Sequence, residues 1–202
     1  MIGIIDYGMG NLRSVENALK AIGCQSVISD DPAVLDQCEK LILPGVGAFG
    51  DCMKNIVERG LDSYIKNAVS KGIPLLGICL GMQMLFEESE EKGLHQGLGF
   101  LKGRIVKMET DLPVPEIGWN ELEWNQESPL RELLSEHPYV YYVHSYCASD
   151  MKEENLTAYS MYGDIRVAGL VQGEHVMGTQ FHPEKSGEDG LKILRYFAEV
   201  FS

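Results

Sequence analysis

The pentapeptide Gly77-Ile-Cys-Leu-Gly81 constrains the fold more than any other stretch of the sequence. It follows the short apolar run Ile73-Pro-Leu-Leu-Gly-Ile78 and precedes Met82-Gln-Met-Leu-Phe86, whose apolar spacing predicts a helix. Strand, glycine-flanked turn and helix with a nucleophile at the apex form the nucleophile-elbow pattern, with sulfur in place of oxygen. The glycines serve an apex whose backbone is strained and past which neighbouring segments run closely. The dipole of the following helix favours the thiolate of Cys79. Taken alone, the pentapeptide also fits a buried structural cysteine in a strand-to-helix turn.

Short apolar runs at Ile2–Ile5, Ser26–Ile28, Lys40–Leu43 and Pro74–Ile78 read as buried parallel strands. Helical stripes lie between them: Leu12, Val15, Leu19 and Ile22 form one, and Leu61, Tyr64, Ile65, Ala68 and Val69 another, stopped by Gly72 and Pro74. Alternation of this kind places the chain in the α/β class, a three-layer open sheet with a parallel core. From Phe100 to Gln180 the pattern changes. Gly103–Met108, Trp119–Trp124, Tyr139–Tyr146, Val167–Val171 and Val176–Phe181 read as strands joined by short polar turns, so antiparallel additions are expected. An amphipathic helix carrying Leu191, Leu194, Phe197, Ala198 and Phe201 closes the chain. No linker or repeat divides it, and residues 1–202 read as one domain.

Bulk properties exclude several classes. A net charge of −13 is the wrong sign for a nucleic-acid footprint. The five cysteines are odd in number and contain no C-x-x-C pair, which argues for reduced thiols in the cytoplasm and against a disulfide framework or a metal site. An acid at Asp6 and the absence of a long apolar run predict neither signal peptide nor membrane anchor.

In open α/β sheets, sites form at the carboxyl ends of the strands. Four unusual stretches fall there: Asp6-Tyr-Gly-Met-Gly-Asn11, Pro44-Gly-Val-Gly47, the elbow, and His182-Pro-Glu184. A cysteine nucleophile needs a base, and the base needs an orienting group. His182 ends an apolar strand, and Glu184 lies two residues on, on the same side of an extended segment. Cys79, His182 and Glu184 therefore read as a triad. Attack on a carbonyl also needs oxyanion donors, for which the N–H of Leu80 and those of Val46 and Gly47 are candidates, the glycines permitting a peptide flip.

With these residues assembled, Gly77-Ile-Cys-Leu-Gly-Met-Gln83 and Gln180-Phe-His-Pro-Glu184 resemble the class I (triad) glutamine amidotransferase family. Ile5-Asp-Tyr-Gly-Met-Gly-Asn-Leu12, Leu43-Pro-Gly-Val-Gly-Ala-Phe-Gly50, Gly118-Trp-Asn120, Tyr142-Val-His-Ser-Tyr146 and Pro183-Glu-Lys-Ser186 are similar to the branch that serves imidazole glycerol phosphate synthase as its glutaminase subunit. The resemblance implies a flavodoxin-like topology, hydrolysis of glutamine through a thioester on Cys79, no cofactor, and delivery of ammonia to a (β/α)8-barrel cyclase in a heterodimer for histidine biosynthesis. It further implies that Gly47, Gln83, Glu91, Ser145 and Tyr146 bind glutamine, with Glu91 receiving its α-ammonium. Asn11, Trp119 and Lys185 would face the partner, although Trp119 also reads as core and Lys185 as a surface charge. Gln83 also reads as a surface residue, and Glu87–Glu91 as a solvated acidic run at a helix C-terminus. His144 reads as a packed or positional histidine.

Rival readings account for less. Gly8-x-Gly10 with Asp30 partly fits a dinucleotide fingerprint, but Arg13 occupies the third glycine position. A thiol peptidase or chaperone on a similar sheet would often carry histidine after the nucleophile, where this chain has Leu80. A non-catalytic partner subunit leaves the triad unexplained. The alternative within the family is the glutaminase of a pyridoxal phosphate or anthranilate type enzyme.

Overall fold

The central apolar runs are buried on both faces, the edge run Ser26–Ser29 is half-buried, and their alternation sorts the core. The computed structural model describes all 202 residues. Its strands in chain order are β1 (Ile2–Ile5), β2 (Ser26–Ser29), β3 (Lys40–Gly45), β4 (Leu75–Cys79), β5 (Phe86–Ser89), β6 (His95–Gln96) and β7 (Leu101–Lys107). There follow β8 (Glu116–Glu121), β9 (Glu123–Trp124), β10 (Tyr139–His144), β11 (Tyr146–Ser149), β12 (Leu156–Tyr162), β13 (Ile165–Gln172) and β14 (Val176–Thr179). Helices are α1 (Leu12–Ala21), α2 (Pro32–Leu35), α3 (Phe49–Glu58), α4 (Leu61–Ser70), α5 (Leu80–Gln83), α6 (Leu130–Leu133) and α7 (Gly187–Glu199).

The main sheet runs β2-β1-β3-β4-β14-β13-β12-β9. Its first five strands are parallel in the flavodoxin-like order, and β13, β12 and β9 extend it antiparallel. Leu41, Leu43 and Leu75 point to a core shared with Met53 and Ile56 of α3 and Leu61 and Ile65 of α4. Ile42 and Leu76, one residue out of phase, join Val15 and Leu19 of α1 and Ile193, Leu194 and Phe197 of α7 on the opposite face. The expected three layers and both amphipathic stripes are present.

Four details differ from expectation. The helix after the elbow stops at Gln83 and β5 begins at Phe86. The carbonyls of Met84 and Leu85 are taken by the N–H groups of Leu98, Phe100 and Leu101, which ends the helical ladder in favour of a strand. The expected strand Tyr139–Tyr146 is two strands that break at Ser145, β10 pairing with β8 and β11 with β7 in separate small sheets. Trp119–Trp124 likewise divides between β8 and β9. Strand β12 was not anticipated, because Thr157, Ala158 and Ser160 blur its alternation although all three are buried.

Candidate active site

The parallel strands β1, β3, β4 and β14 bring their carboxyl ends to one edge of the sheet, where a cavity of about 550 Å³ opens. Its walls include Cys79, His182, Gln83 and Glu91, and its size suits a small metabolite. Cys79 ends β4 with φ 56° and ψ −112°, a conformation that costs on the order of 1–3 kcal/mol for a residue with a side chain. Its flanking glycines are needed for close approach. A Cβ on Gly81 would lie 1.8 Å from the Leu43 carbonyl oxygen, and one on Gly77 would lie 2.5 Å from that of Gly81. The strain is concentrated on the nucleophile itself, held there by strand register on one side and α5 on the other. Because α5 has four residues, the helix-dipole contribution expected at Cys79 is small.

His182 is 3 % exposed, and its Nδ1 lies 2.8 Å from Glu184 Oε1. The expected extended geometry is corrected here, since Pro183–Lys185 forms one 3-10 turn that swings Glu184 back to the ring. Tyr141 carbonyl accepts from the His182 N–H, and Ser186 Oγ donates to the His182 carbonyl, fixing the ring's backbone. Burial lowers the affinity of the ring for a proton. The neighbouring Cys79 and the hydrogen bond to Glu184 outweigh it and push His182 up to about 9. The ring is thus held as imidazolium at neutral pH, against the sulfur it faces. Glu184 Oε2 is buried without a partner, so the carboxylate's only hydrogen bond is to this ring.

The other expected residues also gather at the cavity. Leu80 opens α5, where the first N–H groups of a helix lack internal partners, and Val46 and Gly47, which follow β3 beside β4, line the same cavity. Gly47 has φ 95° and sits under Met9. Gln83 is 3 % exposed and therefore no surface residue; its Nε2 donates to the Tyr146 carbonyl (2.9 Å) and to Gln180 Oε1 (3.0 Å), leaving Oε1 for a ligand. Glu91 is not at a helix C-terminus. Its Oε2 accepts the N–H of Phe49 at 2.8 Å, at the N-terminus of α3, where the dipole favours a carboxylate. Ser145 and Tyr146 line the cavity. The Tyr146 carbonyl has both lone pairs occupied, by Gln83 Nε2 and by His144 Nδ1, and so positions its neighbours.

Asn11 and Lys185 stand at the mouth. Trp119 is 55 % exposed, not core, and packs edge-on against Tyr141 with centroids 6.1 Å apart. Lys185 Nζ lies 5.9 Å from the same Tyr141 ring, an aromatic contact available to a cation. Sequence reading assigned no role to Gln180, although it begins the quoted Gln180-Phe-His-Pro-Glu184 motif. It is fully buried, and its Nε2 lies 3.9 Å from Cys79 Sγ. The pairing of His144 with Glu116 was also missed, because only the antiparallel register of β8 and β10 brings residues 28 positions apart together.

The family described as glutamine amidotransferase class-I matches residues 3–200. Imidazole glycerol phosphate synthase subunit HisH of Oceanobacillus iheyensis is 46% identical over 200 residues, covering 99% of each chain. The protein of the same name from Geobacillus kaustophilus is 50% identical over 206 residues, with 99% of this chain and 97% of that one covered. Among solved structures, one titled as a glutamine amidotransferase superposes with TM-score 0.77 at 24% identity, over 98% of this chain and 97% of that one. A chain of PurLQS from Thermotoga maritima gives 0.74 at 22% identity over 100% and 98%, a likeness of fold. A strained cysteine elbow, a buried His–Glu partner and relatives matched end to end lead to one assignment: the chain belongs to the class-I glutamine amidotransferase family and, within it, to the family of imidazole glycerol phosphate synthase subunit HisH.

Proposed function

We propose that the chain, acting as one domain over residues 1–202, hydrolyses L-glutamine to L-glutamate and ammonia as the glutaminase subunit of imidazole glycerol phosphate synthase. The observation that carries this reading is Cys79 at a strained apex beside a buried His182 that Glu184 holds at 2.8 Å. The Cys79 thiolate attacks the side-chain carboxamide carbon, and the oxyanion is received by the N–H groups of Leu80 and of Val46 or Gly47. Collapse of the tetrahedral species breaks the C–N bond as His182 gives its proton to the departing ammonia. The neutral ring then takes a proton from water, whose oxygen attacks the thioester, releasing glutamate and restoring the thiolate–imidazolium pair. Glu184 keeps the ring's Nδ1 donating, so that Nε2 serves both steps.

In this reading Gln83 Oε1 and the free oxygen of Glu91 meet the amino-acid end of glutamine, with Gly47, Ser145 and Tyr146 forming the wall around it. Ammonia released into neutral water is protonated and loses its nucleophilicity, so the product passes directly to a cyclase subunit of (β/α)8-barrel fold. Asn11 and Lys185 at the mouth, with the exposed Trp119, form part of that contact in a cytoplasmic heterodimer. The five free thiols and the absence of any helix long and apolar enough to cross a membrane accord with that setting. The reading is tested by mixing the chain with a candidate cyclase and following glutamate release with and without the ribulosyl substrate. Turnover that rises on complex formation supports it, and no glutamate release under any condition refutes it.

A further inference from the structure

The opening motif Asp6-Tyr-Gly-Met-Gly-Asn11 has no part in the triad, yet Tyr7, Met9 and Gly10 pack against the Pro44–Gly47 turn that carries the proposed oxyanion donors. Tyr7 is fully buried and its hydroxyl donates to the Pro44 carbonyl at 2.8 Å. Cys52, fully buried on α3, points its Sγ at the Val46 carbonyl, 3.3 Å away. The two donors touch each other, Oη to Sγ at 3.7 Å. Burial pushes the Tyr7 hydroxyl far above its usual range and the Cys52 thiol up to about 11, so both keep the protons they donate.

A trans peptide is planar, with its N–H directed opposite its C=O. Fixing the Val46 carbonyl against α3 therefore turns the Gly47 N–H the other way, out of the core. Fixing the Pro44 carbonyl immobilises the Pro44–Gly45 peptide in the same manner. Between these anchors lies one peptide, Gly45–Val46, which carries the Val46 N–H.

We propose that Tyr7 and Cys52 are positioning residues for the glutaminase reaction, clamping the peptides on either side of Gly45–Val46 so that the Val46 and Gly47 N–H groups meet the oxyanion in register. The inference rests on the glutaminase reading above. An oxyanion forms only after substrate has bound, so the clamp acts on kcat and leaves KM nearly untouched. Neither side chain reaches substrate.

The test compares wild type, Tyr7→Phe, Cys52→Ala and Cys52→Ser, each in complex with the cyclase, by steady-state glutamate release and by thermal melting. Tyr7→Phe, which keeps the ring, is expected to lower kcat about tenfold with KM changed less than about twofold. Cys52→Ala is expected to lower kcat about fivefold, and Cys52→Ser, whose hydroxyl donates the same bond, to stay within about twofold of wild type. Wild-type kcat in both Tyr7→Phe and Cys52→Ala overturns the clamp. So does a loss in Cys52→Ala that Cys52→Ser fails to restore, which marks a packing role. If Tyr7→Phe does not fold, the two Cys52 variants decide by the same criteria. A wild-type complex without glutaminase activity overturns the functional reading and the clamp with it, whereas an active wild type with indifferent variants overturns the clamp alone.

Discussion

Two buried His–Glu pairs bring their histidines to the same cavity, and their chemistry differs despite the same side chains. In the first, His182 follows β14 and meets Glu184 at 2.8 Å; in the second, His144 on β10 meets Glu116 on β8 at 3.0 Å. Both pairs are nearly inaccessible to solvent. They part at the second ring nitrogen. His182 spends Nδ1 on its carboxylate and keeps Nε2 for Cys79. His144 spends Nε2 on Glu116 and Nδ1 on the Tyr146 carbonyl, so no nitrogen remains to exchange a proton with anything else. A histidine becomes a base here through an uncommitted nitrogen beside a nucleophile, and burial with a carboxylate is insufficient.

The largest effects test that distinction directly. Cys79→Ala and His182→Asn are each expected to lower partner-supported glutamate release by about 10⁴-fold or more, since each removes a member of a unit that acts together. Residual activity in Cys79→Ala close to wild type would exclude the thioester route. Glu184→Gln leaves a neutral acceptor near His182 Nδ1 and removes its charge, and a loss of about 10²-fold in kcat is expected. The comparison fails if Glu116→Gln, in the second pair, causes a loss of that same size.

The pH dependence follows next in size. His182 is raised in the folded protein to about 9 from an ordinary 6.5. Its proton, and with it the acid needed for ammonia departure, is retained below that value and lost as pH climbs through it. An alkaline limb in kcat/KM near pH 9 is therefore expected, shifted toward lower pH in Glu184→Gln because one of the contacts that raises the ring is weakened. The associated stability runs in the same direction: it is fully present below pH 6.5 and disappears as pH rises through 9. Denaturant midpoints of wild type and His182→Asn should accordingly converge across that window. An alkaline limb unmoved by Glu184→Gln would show that the carboxylate orients the ring without tuning it.

Much of this site is legible in the sequence, for a definable reason. Cys79, His182 and Glu184 lie within short local segments: glycines mark the elbow, and the two-residue spacing marks the His182–Glu184 pair, although a 3-10 turn at Pro183 joins them where the sequence suggested an extended segment. The parallel strands were legible because burial on both faces leaves continuous apolar runs such as Lys40–Gly45. What sequence missed depends on register or on tertiary competition. Glu116 meets His144 only through the β8–β10 pairing, and Glu91 reaches α3 only because β5 replaces the rest of the expected helix. Tyr7 and Cys52 look like ordinary core residues until the carbonyls they hold are seen.

The smallest effect probes the second pair on its own terms. His144→Asn places an amide N–H where Nδ1–H stood, so the bond to the Tyr146 carbonyl can persist while Glu116 loses its partner and keeps Asn120 alone. Tyr146 carbonyl in turn positions Gln83, whose Oε1 is left without a partner at the cavity. A slackened wall affects ground state and transition state alike, which raises KM and spares kcat. An increase of about threefold in the KM for glutamine is expected, with the alkaline limb of kcat/KM unmoved, since His182 and its partners are untouched. Steady-state kinetics across pH 6.5 to 9.5 reads both quantities. A displaced limb would mean that the two pairs share a proton network, and the division drawn between a catalytic and a positional histidine would fall.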